Sequence, residues 1–334
     1  MAVPVVRTLR HLVSALPALL LVALTCWSYF AYVVQLCVVT VTNAEEKVAY
    51  LLAYHILFAM FIWSFCQTIF TPPKRPSKEY CLAPYDGEAM EADGSIELQK
   101  EILKRTAKGL PLFTRTESGA LRYCERCQLI KPDRCHHCSV CDICVLKMDH
   151  HCPWVNNCVG FSNYKFFLLF LGYATLYCIF ITATVLKYFI CYWEDGLPSS
   201  PAKFHVLFLF FIAAMFAVSL GLLFGYHCWL VSTNVSTLEA FRAPVFEYGS
   251  DRSGFDLGVR SNMRQVFGAS PRVWFLPIFS SVGDGLSFPV KSIPESCSRL
   301  LGGENTWEEE GNSNEEGTIF GNAGTVGVVF ESES

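Results

Sequence analysis

Charged residues are scarce in this chain. Only 17% of its 334 residues are Asp, Glu, Lys or Arg, whereas 52% are hydrophobic and 14% are aromatic. This composition is typical of a membrane protein. The formal net charge of −4 also means that the chain lacks the basic excess expected of a nucleic-acid-binding protein.

Four stretches contain almost no charge at all. Each is longer than the roughly 20 residues that a helix needs to cross a bilayer. The first is too long for the core of a cleaved signal peptide, so we interpret it as a retained anchor. The stretches predict transmembrane helices at about 15–41, 48–73, 166–192 and 205–230.

Basic residues are unevenly distributed between these spans. Nine Lys or Arg lie between Lys74 and Arg122, whereas Lys47 and Lys203 stand alone in the two short turns. By the positive-inside rule, residues 72–165 and both termini are expected in the cytosol. A helix is predicted over 95–108, with Ser95 as its N-cap.

The segment from Cys124 to Cys158 contains eight cysteines and four histidines. The pairs Cys124/Cys127, Cys138/Cys141 and Cys141/Cys144 have the CxxC spacing, which lets two thiolates reach one tetrahedral Zn²⁺. Two structural zinc ions would use eight of the twelve donors. The remainder leaves Cys and His for nucleophilic catalysis, to which Asp149-His150-His151-Cys152 is well suited.

These motifs resemble the cysteine-rich domain of the DHHC protein S-acyltransferases, or palmitoyltransferases. Asp149-His150-His151-Cys152 is preceded by CxxC and HCxxCxxC and followed by PWVNNCVGxxNxxxF. Ser236-Thr237-Leu238-Glu239 is similar to the family's TTxE motif, with Ser236 in place of a threonine. Asn262 begins a sequence like its C-terminal asparagine motif, and the resemblance covers about residues 10–290.

The resemblance implies transfer of a long-chain acyl group, palmitoyl, from acyl-CoA to cysteines of membrane-associated proteins. It makes Cys152 the nucleophile, His150 its base and Asp149 the group that orients the imidazole. Spacing alone permits several partitions of the metal ligands. The resemblance implies one zinc on Cys124, Cys127, His137 and Cys144, and a second on Cys138, Cys141, His151 and Cys158.

Further residues are assigned to binding and support. Lys131 and Arg134, with His136, are candidates for contacts with CoA phosphates, or else form a solvated basic face. Trp154 is expected at the entrance of an acyl cavity. At the far end of that cavity Ser28 and Tyr177 either set the acyl-chain length or only pack helices. Thr237 is expected to brace Asp149, and Asn262 to bridge the C-terminal segment to the spans. His205 and His227 are interpreted as interfacial hydrogen-bonding groups.

The predicted fold is an α-helical polytopic membrane protein with four transmembrane helices and a cytosolic zinc-stabilised cysteine-rich domain between helices 2 and 3. Its expected parts are an N-terminal segment with helices 1 and 2 (1–73), a linker and cysteine-rich domain (74–165), helices 3 and 4 (166–232), a cytosolic C-terminal segment packing on the catalytic domain (233–300) and a disordered acidic tail (301–334).

Three other classes remain open on the sequence. A membrane-anchored ubiquitin ligase also interleaves two zinc ions, but it has no need of a thiolate at Cys152. A nucleic-acid-binding zinc module would need a basic recognition helix, and a structural scaffold would need no chemistry. Expected partners are acyl-CoA, the lipid bilayer, membrane-associated substrates with cytosolic cysteines and a possible second copy of the chain. The expected location is the Golgi, with endosome or plasma membrane as alternatives.

Overall fold

The computed structural model describes residues 2–93, 95–194 and 202–291. The predicted acidic tail at 301–334 lies outside these residues. Within them, four helices are long and apolar enough to cross a membrane. The four predicted spans are therefore confirmed, and they are Val13–Thr40, Ala44–Phe70, Tyr164–Trp193 and Ala202–Thr233.

The helices are numbered in chain order. The first span comprises α1 (Ala2–Tyr29) and a π-helical continuation, Phe30–Thr40. The others are α2 (Ala44–Phe70), α3 (Pro84–Asp93), α4 (Ile96–Thr106), α5 (Tyr164–Trp193), α6 (Ala202–Thr233), α7 (Thr237–Phe241) and α8 (Val259–Phe267).

Helix α5 is the centre of the bundle, because it packs against both α2 and α6. Of the 18 consecutive residues that are most apolar in each helix, 61% are buried in α5, compared with 22% in α2 and 17% in α6. Stacked aromatic rings hold α2 to the first span: the centroids of Tyr32 and Tyr54 are 4.4 Å apart. The outer faces of α2 and α6 remain apolar, as a lipid environment requires.

Two short helices precede the cysteine-rich domain. Helix α4 agrees with the predicted one, and the Ser95 hydroxyl accepts a hydrogen bond from the Leu98 amide at its N-terminus. Helix α3 was not expected from the sequence. Its Met90 packs with Ile102 and Leu103 of α4, so tertiary contacts stabilise a segment with a weak helical pattern of its own.

Three β-hairpins follow one another at intervals of 14 residues. They pair β2 (Tyr123–Cys124) with β3 (Leu129–Ile130), β4 (His136–Cys138) with β5 (Ile143–Val145), and β6 (His150–Cys152) with β7 (Asn157–Val159). Cys124, Cys138 and Cys152 hold the same register position. Equivalent turn residues Gln128, Asp142 and Asn156 all have positive φ, between 46° and 55°. The domain thus contains a threefold repeat.

The C-terminal segment is fastened to the bundle and to the hairpins. Strands β8 (Val245–Phe246) and β9 (Gly249–Ser250) extend β1 (Thr114–Arg115) into a small sheet. The buried Lys165 of α5 donates to the carbonyls of Val273 and Ile278. Asn262 of α8 donates to the carbonyl of Ser232 at the end of α6. Asn262 therefore makes a direct contact with the spans, where the sequence predicts a bridge.

Candidate active site

The hairpins bring eight of the twelve candidate donors into two separate clusters. One contains Cys124, Cys127, His137 and Cys144, and the other contains Cys138, Cys141, His151 and Cys158. In the first, His137 Nδ1 lies 3.4 to 3.8 Å from the three sulfurs. In the second, His151 Nδ1 lies 3.4 to 3.7 Å from them.

These spacings fit a tetrahedral metal. With Zn–S of about 2.3 Å and Zn–N of about 2.0 Å, the nitrogen should lie about 3.5 Å from each sulfur. Three thiols and one imidazole are also a donor set that zinc prefers. Both clusters therefore have the composition and the dimensions of a structural zinc site.

The repeat explains why Cys152 is left out of both clusters. Each cluster takes the CxxC of one hairpin and the His and Cys of the next hairpin. The third hairpin has Val155 where the others have the second cysteine, and helix α5 follows it instead of a fourth hairpin. Cys152 consequently occupies a ligand position but belongs to neither cluster.

Cys135 is the other cysteine of this segment outside both clusters. It is 0% exposed and packs among Cys124, Cys144 and Leu146, in the interior formed by the first two hairpins. A thiol in that position cannot reach a substrate. Among the eight cysteines of residues 124–158, all of which the structure describes, Cys152 alone lines the cavity within the helix bundle.

Asp149, His150 and Thr237 form a hydrogen-bonded chain beside Cys152. His150 Nδ1 lies 2.6 Å from Asp149 Oδ2. Thr237 donates to the same carboxylate twice, from its amide at 2.9 Å and from its hydroxyl at 2.8 Å. The structure thus brings Thr237 to Asp149 as the sequence predicts. Because Nδ1 faces the carboxylate, His150 Nε2 is directed to the side of Cys152.

The electrostatics of this hydrogen-bonded group favour the charged forms of Asp149 and His150. Burial opposes ionisation of Asp149, but the hydrogen bond from His150 and the neighbouring imidazoles keep its pKa below the usual value. Burial also opposes the charge of His150, yet Asp149 and Cys152 outweigh it and raise the pKa of His150 to about 9. These neighbours stabilise the protonated imidazole once His150 has accepted a proton.

Cys152 opens into a largely apolar cavity of about 460 Å³ within the helix bundle. Trp154 lines it near Cys152 and is 46% exposed, in agreement with a position at the entrance. Ser28 and Tyr177 line the cavity as well, and their hydroxyl oxygens are 2.8 Å apart. Tyr54 completes this polar cluster, with its hydroxyl 2.7 Å from that of Tyr177.

The expected contact between Arg134 and CoA phosphates is wrong. The Arg134 side chain is only 1% exposed, and its guanidinium forms a fork of hydrogen bonds, at 2.8 and 2.6 Å, with Glu239. It also donates to Asn234 and lies over the ring of Phe255. A buried ion pair of this kind holds the Ser236–Glu239 motif against the hairpins, and four of the five guanidinium N–H groups are engaged in it and in the bonds to Asn234.

Lys131 and His136 line a second, polar cavity of about 380 Å³. Its wall also contains the four arginines Arg115, Arg122, Arg134 and Arg242, and its carboxylates belong to Glu117 and Glu239. Glu239 is neutralised by Arg134, so the wall is basic on balance. Met148 reaches this cavity, and Cys152 lies only four residues further on, at most about 14 Å away along the chain.

His227 was expected to make an interfacial hydrogen bond near the end of its helix. The structure instead places it in the wall of the apolar cavity that Cys152 lines, where it is 2% exposed. Its ring centroid is 5.9 Å from that of His150, and its Nδ1 is 3.2 Å from the hydroxyl of Tyr164. A lone intramembrane histidine is a weak sequence signal, and only the fold shows that it faces Cys152.

Comparisons with known proteins agree with these observations. A family model described as DHHC palmitoyltransferase matches residues 117–243. Human palmitoyltransferase ZDHHC2 is 61% identical over 299 residues, which are 89% of this chain and 82% of that protein. Human palmitoyltransferase ZDHHC15 is 56% identical over 310 residues, 93% of this chain and 92% of that protein. The Xenopus laevis ZDHHC15 is 55% identical over 304 residues, with 91% and 90% covered.

Proposed function

Because the chain belongs to the DHHC palmitoyltransferase family, we propose that it is a protein S-acyltransferase that carries palmitoyl from acyl-CoA to protein cysteines. One observation carries this assignment in the structure. Cys152, which both metal clusters leave free, faces an apolar cavity beside the Asp149–His150 pair. A membrane-anchored ubiquitin ligase would need neither the free thiol nor the cavity, and no observation favours it.

The first half-reaction loads the enzyme. The proton of the Cys152 thiol passes to His150 Nε2, and the thiolate sulfur attacks the thioester carbonyl of acyl-CoA. The tetrahedral intermediate expels the CoA sulfur, which takes up the proton from His150. Asp149 holds the imidazole in the required orientation throughout, and Thr237 holds Asp149.

The second half-reaction transfers the acyl group. The sulfur of a substrate cysteine attacks the carbonyl of acyl-Cys152, and Cys152 leaves as a thiolate. His150 accepts the proton of the incoming thiol and passes it to the Cys152 sulfur, which restores the starting state. Both steps exchange one thioester for another, so the chain needs no oxidant or nucleotide hydrolysis.

We assign the two donor clusters to structural Zn²⁺. Bound zinc supplies cross-links between successive hairpins and takes no part in acyl transfer. The hairpins have strands of two or three residues, and their buried apolar clusters are small. Such a domain gains most of its folding free energy from the metal.

We assign the basic cavity to the CoA phosphates, with Lys131 and His136 as contacts and Arg134 as a brace. If this is correct, Lys131→Glu should raise KM for palmitoyl-CoA. The same variant should leave unchanged the reaction with a palmitoyl thioester of N-acetylcysteamine, which lacks the nucleotide. An equal effect on both thioesters would place the CoA phosphates elsewhere.

The uneven distribution of Lys and Arg supports a cytosolic position for the hairpins, with the two short turns on the other side. Cytosolic acyl-CoA and cytosolic cysteines of membrane proteins would then both reach Cys152. The Golgi membrane remains a prediction for the location, and association with a second copy of the chain remains one for the assembly.

Incubation of the purified protein with palmitoyl-CoA tests the assignment. We expect one covalent palmitoyl group per chain that hydroxylamine removes, and its transfer to an added cysteine peptide. Cys152→Ala should take up none. An unmodified wild-type protein that contains its metals would contradict the proposed function.

A further inference from the structure

The acyl transfer creates a charge that the residues assigned so far do not neutralise. Attack by Cys152 moves the electron pair of the thioester C=O bond onto the oxygen, inside a cavity lined mainly by apolar side chains. Enzymes stabilise such an oxyanion with preorganised hydrogen-bond donors, and loss of one donor typically costs about 10²–10³-fold in rate. A donor is therefore required within reach of the carbonyl oxygen.

The neighbours of Cys152 offer few candidates. His150 is committed to Asp149 through Nδ1 and to the thiol through Nε2. Pro153 has no N–H, and the Trp154 ring is half in solvent at the entrance. Among the described residues of the cavity wall, His227 is the remaining imidazole, and ligand atoms of His227, His150 and Asp149 lie within 4.8 Å of one another.

The hydrogen bond to Tyr164 determines the tautomer of His227. The Tyr164 hydroxyl is buried, and its one hydrogen bond among the described residues is the 3.2 Å contact with His227 Nδ1. If Tyr164 donates, Nδ1 is the acceptor and the ring proton must be on Nε2. The opposite direction would leave the phenol hydrogen without an acceptor in a buried position, which is costly.

The ring is also fixed in place. Phe167 of α5 makes edge contacts with both histidines, with centroid distances of 5.1 Å to His150 and 5.1 Å to His227. His227 Nε2 points away from Tyr164, and no described residue provides it with a partner. A rigid N–H that faces the cavity next to His150 has the properties of an oxyanion donor.

We propose that His227 is a catalytic residue whose Nε2–H donates to the thioester carbonyl oxygen and stabilises the oxyanion in both half-reactions. Tyr164 is the positioning residue that keeps the proton on Nε2. This inference rests on the proposed acyl transfer and gives the two histidines of the cavity separate roles. His150 handles the thiol proton, whereas His227 holds the oxygen.

Two substitutions at one position separate catalysis from packing. His227→Leu keeps a branched apolar volume but removes the donor, and His227→Gln supplies an amide N–H in its place. We expect single-turnover formation of acyl-Cys152 to be about 10²-fold slower in His227→Leu, with KM unchanged. His227→Gln should recover at least a tenth of the wild-type rate, and Tyr164→Phe should lie between wild type and His227→Leu.

Binding is measured separately with a CoA thioether in which a methylene replaces the thioester carbonyl. This analogue cannot form an oxyanion, so its Kd should be the same for wild type and His227→Leu. His205→Leu is the matched control. His205 lies on the same helix, about 33 Å away at 1.5 Å per residue, and bonds to the Trp27 indole, so its loss should leave the acylation rate unchanged.

Each alternative result overturns the proposal. If His227→Leu forms acyl-Cys152 at the wild-type rate, His227 has no catalytic role. If its affinity for the thioether falls as much as its rate, His227 acts in binding. A His227→Gln variant as slow as His227→Leu excludes hydrogen-bond donation. A third metal per chain that disappears in His227→Leu would assign Asp149, His150 and His227 to a metal site. If wild type itself forms no thioester, the acyl transfer fails and not this assignment alone.

Discussion

The second and third hairpins, residues 136–145 and 150–159, have the same backbone pairing, but their strand-end cysteines have different surroundings. Both pair a His-His-Cys strand with a second strand whose middle residue is cysteine, in the same register. In both, the central pair belongs to a cluster of candidate metal donors: His137 with Cys144, and His151 with Cys158. The strand-end cysteines are equivalent too, yet Cys138 belongs to such a cluster and Cys152 does not.

Two differences account for this divergence. Cys138 has a partner three residues on, Cys141, whereas Cys152 has Val155. The hairpin after Cys138 contributes His151 and Cys158 to complete its cluster. The element after the hairpin of Cys152 is instead the transmembrane helix α5, whose Phe167 and Phe170 line the apolar cavity. The same thiol position thus either joins a donor cluster or lines a cavity, according to what the next segment brings to it.

The residue immediately before each of these two hairpins also differs between them. Cys135 precedes the second hairpin and is sealed in the interior. Asp149 precedes the third and is held by Thr237 from α7. Helix α7 therefore completes the catalytic hairpin, and Arg134, paired with Glu239, fixes α7 in turn.

The largest expected effect comes from replacing each of the two equivalent cysteines with serine. Cys138→Ser should lose one zinc, destabilise the domain and reduce expression, because its cluster cross-links two hairpins. Cys152→Ser should retain both zinc ions and the wild-type thermal stability but lose the acyl-enzyme. Metal content and melting temperature measured on both variants check the contrast. Loss of metal in Cys152→Ser would show that the two positions are not functionally distinct.

The adjacent histidines give the second contrast. His151→Ala should behave like Cys138→Ser, because Nδ1 of His151 is a donor of the second cluster. His150→Ala should keep two metals and lower the rate of acyl-enzyme formation by about 10²–10⁴-fold, the usual cost of losing a general base. Zinc analysis and single-turnover kinetics separate the two outcomes. Normal acylation in His150→Ala would remove it from the mechanism.

A smaller effect is expected at the far end of the cavity. Ser28→Phe should shorten the cavity and Tyr177→Ala should lengthen it, because these two side chains meet across it. Two methylenes are worth about 1.6 kcal/mol of burial, or about 15-fold in preference. Competition between acyl-CoAs of graded length measures the shift. If every length loses activity equally, the two residues only pack helices.

The last expected effect concerns the free energy of unfolding rather than the acylation rate. Burial and the nearby Arg134 lower the pKa of Lys147 from 10.5 to about 7. The unfolded chain therefore binds more protons between pH 7 and 10.5, and stability should rise with pH across this window. Lys147→Met should flatten the rise, whereas the exposed Lys104→Met controls for net charge. Melting temperatures at pH 7 and pH 9 test it, and an unchanged slope in Lys147→Met would refute the assignment.

Sequence patterns predicted what depends on local spacing. Long uncharged runs predicted the four spans, and family resemblance placed the donors in the groups that the structure brings together. Arg134 was misassigned because sequence distance does not show that Glu239, 105 residues later, would neutralise it. His227 and Tyr164 are 63 residues apart, and their contact depends on how α5 and α6 pack. The 14-residue repeat of Cys124, Cys138 and Cys152 was present in the sequence and would have identified Cys152 as the cysteine without a CxxC partner.

The central claim is that the interrupted zinc repeat leaves one reactive thiol. Mass spectrometry of the intact protein under native conditions, after incubation with palmitoyl-CoA, tests it most directly. We expect a chain that carries two zinc ions and one palmitoyl group together, with peptide mapping on Cys152. A third zinc that is lost on acylation, or a palmitoyl group on another cysteine of the segment, would contradict it.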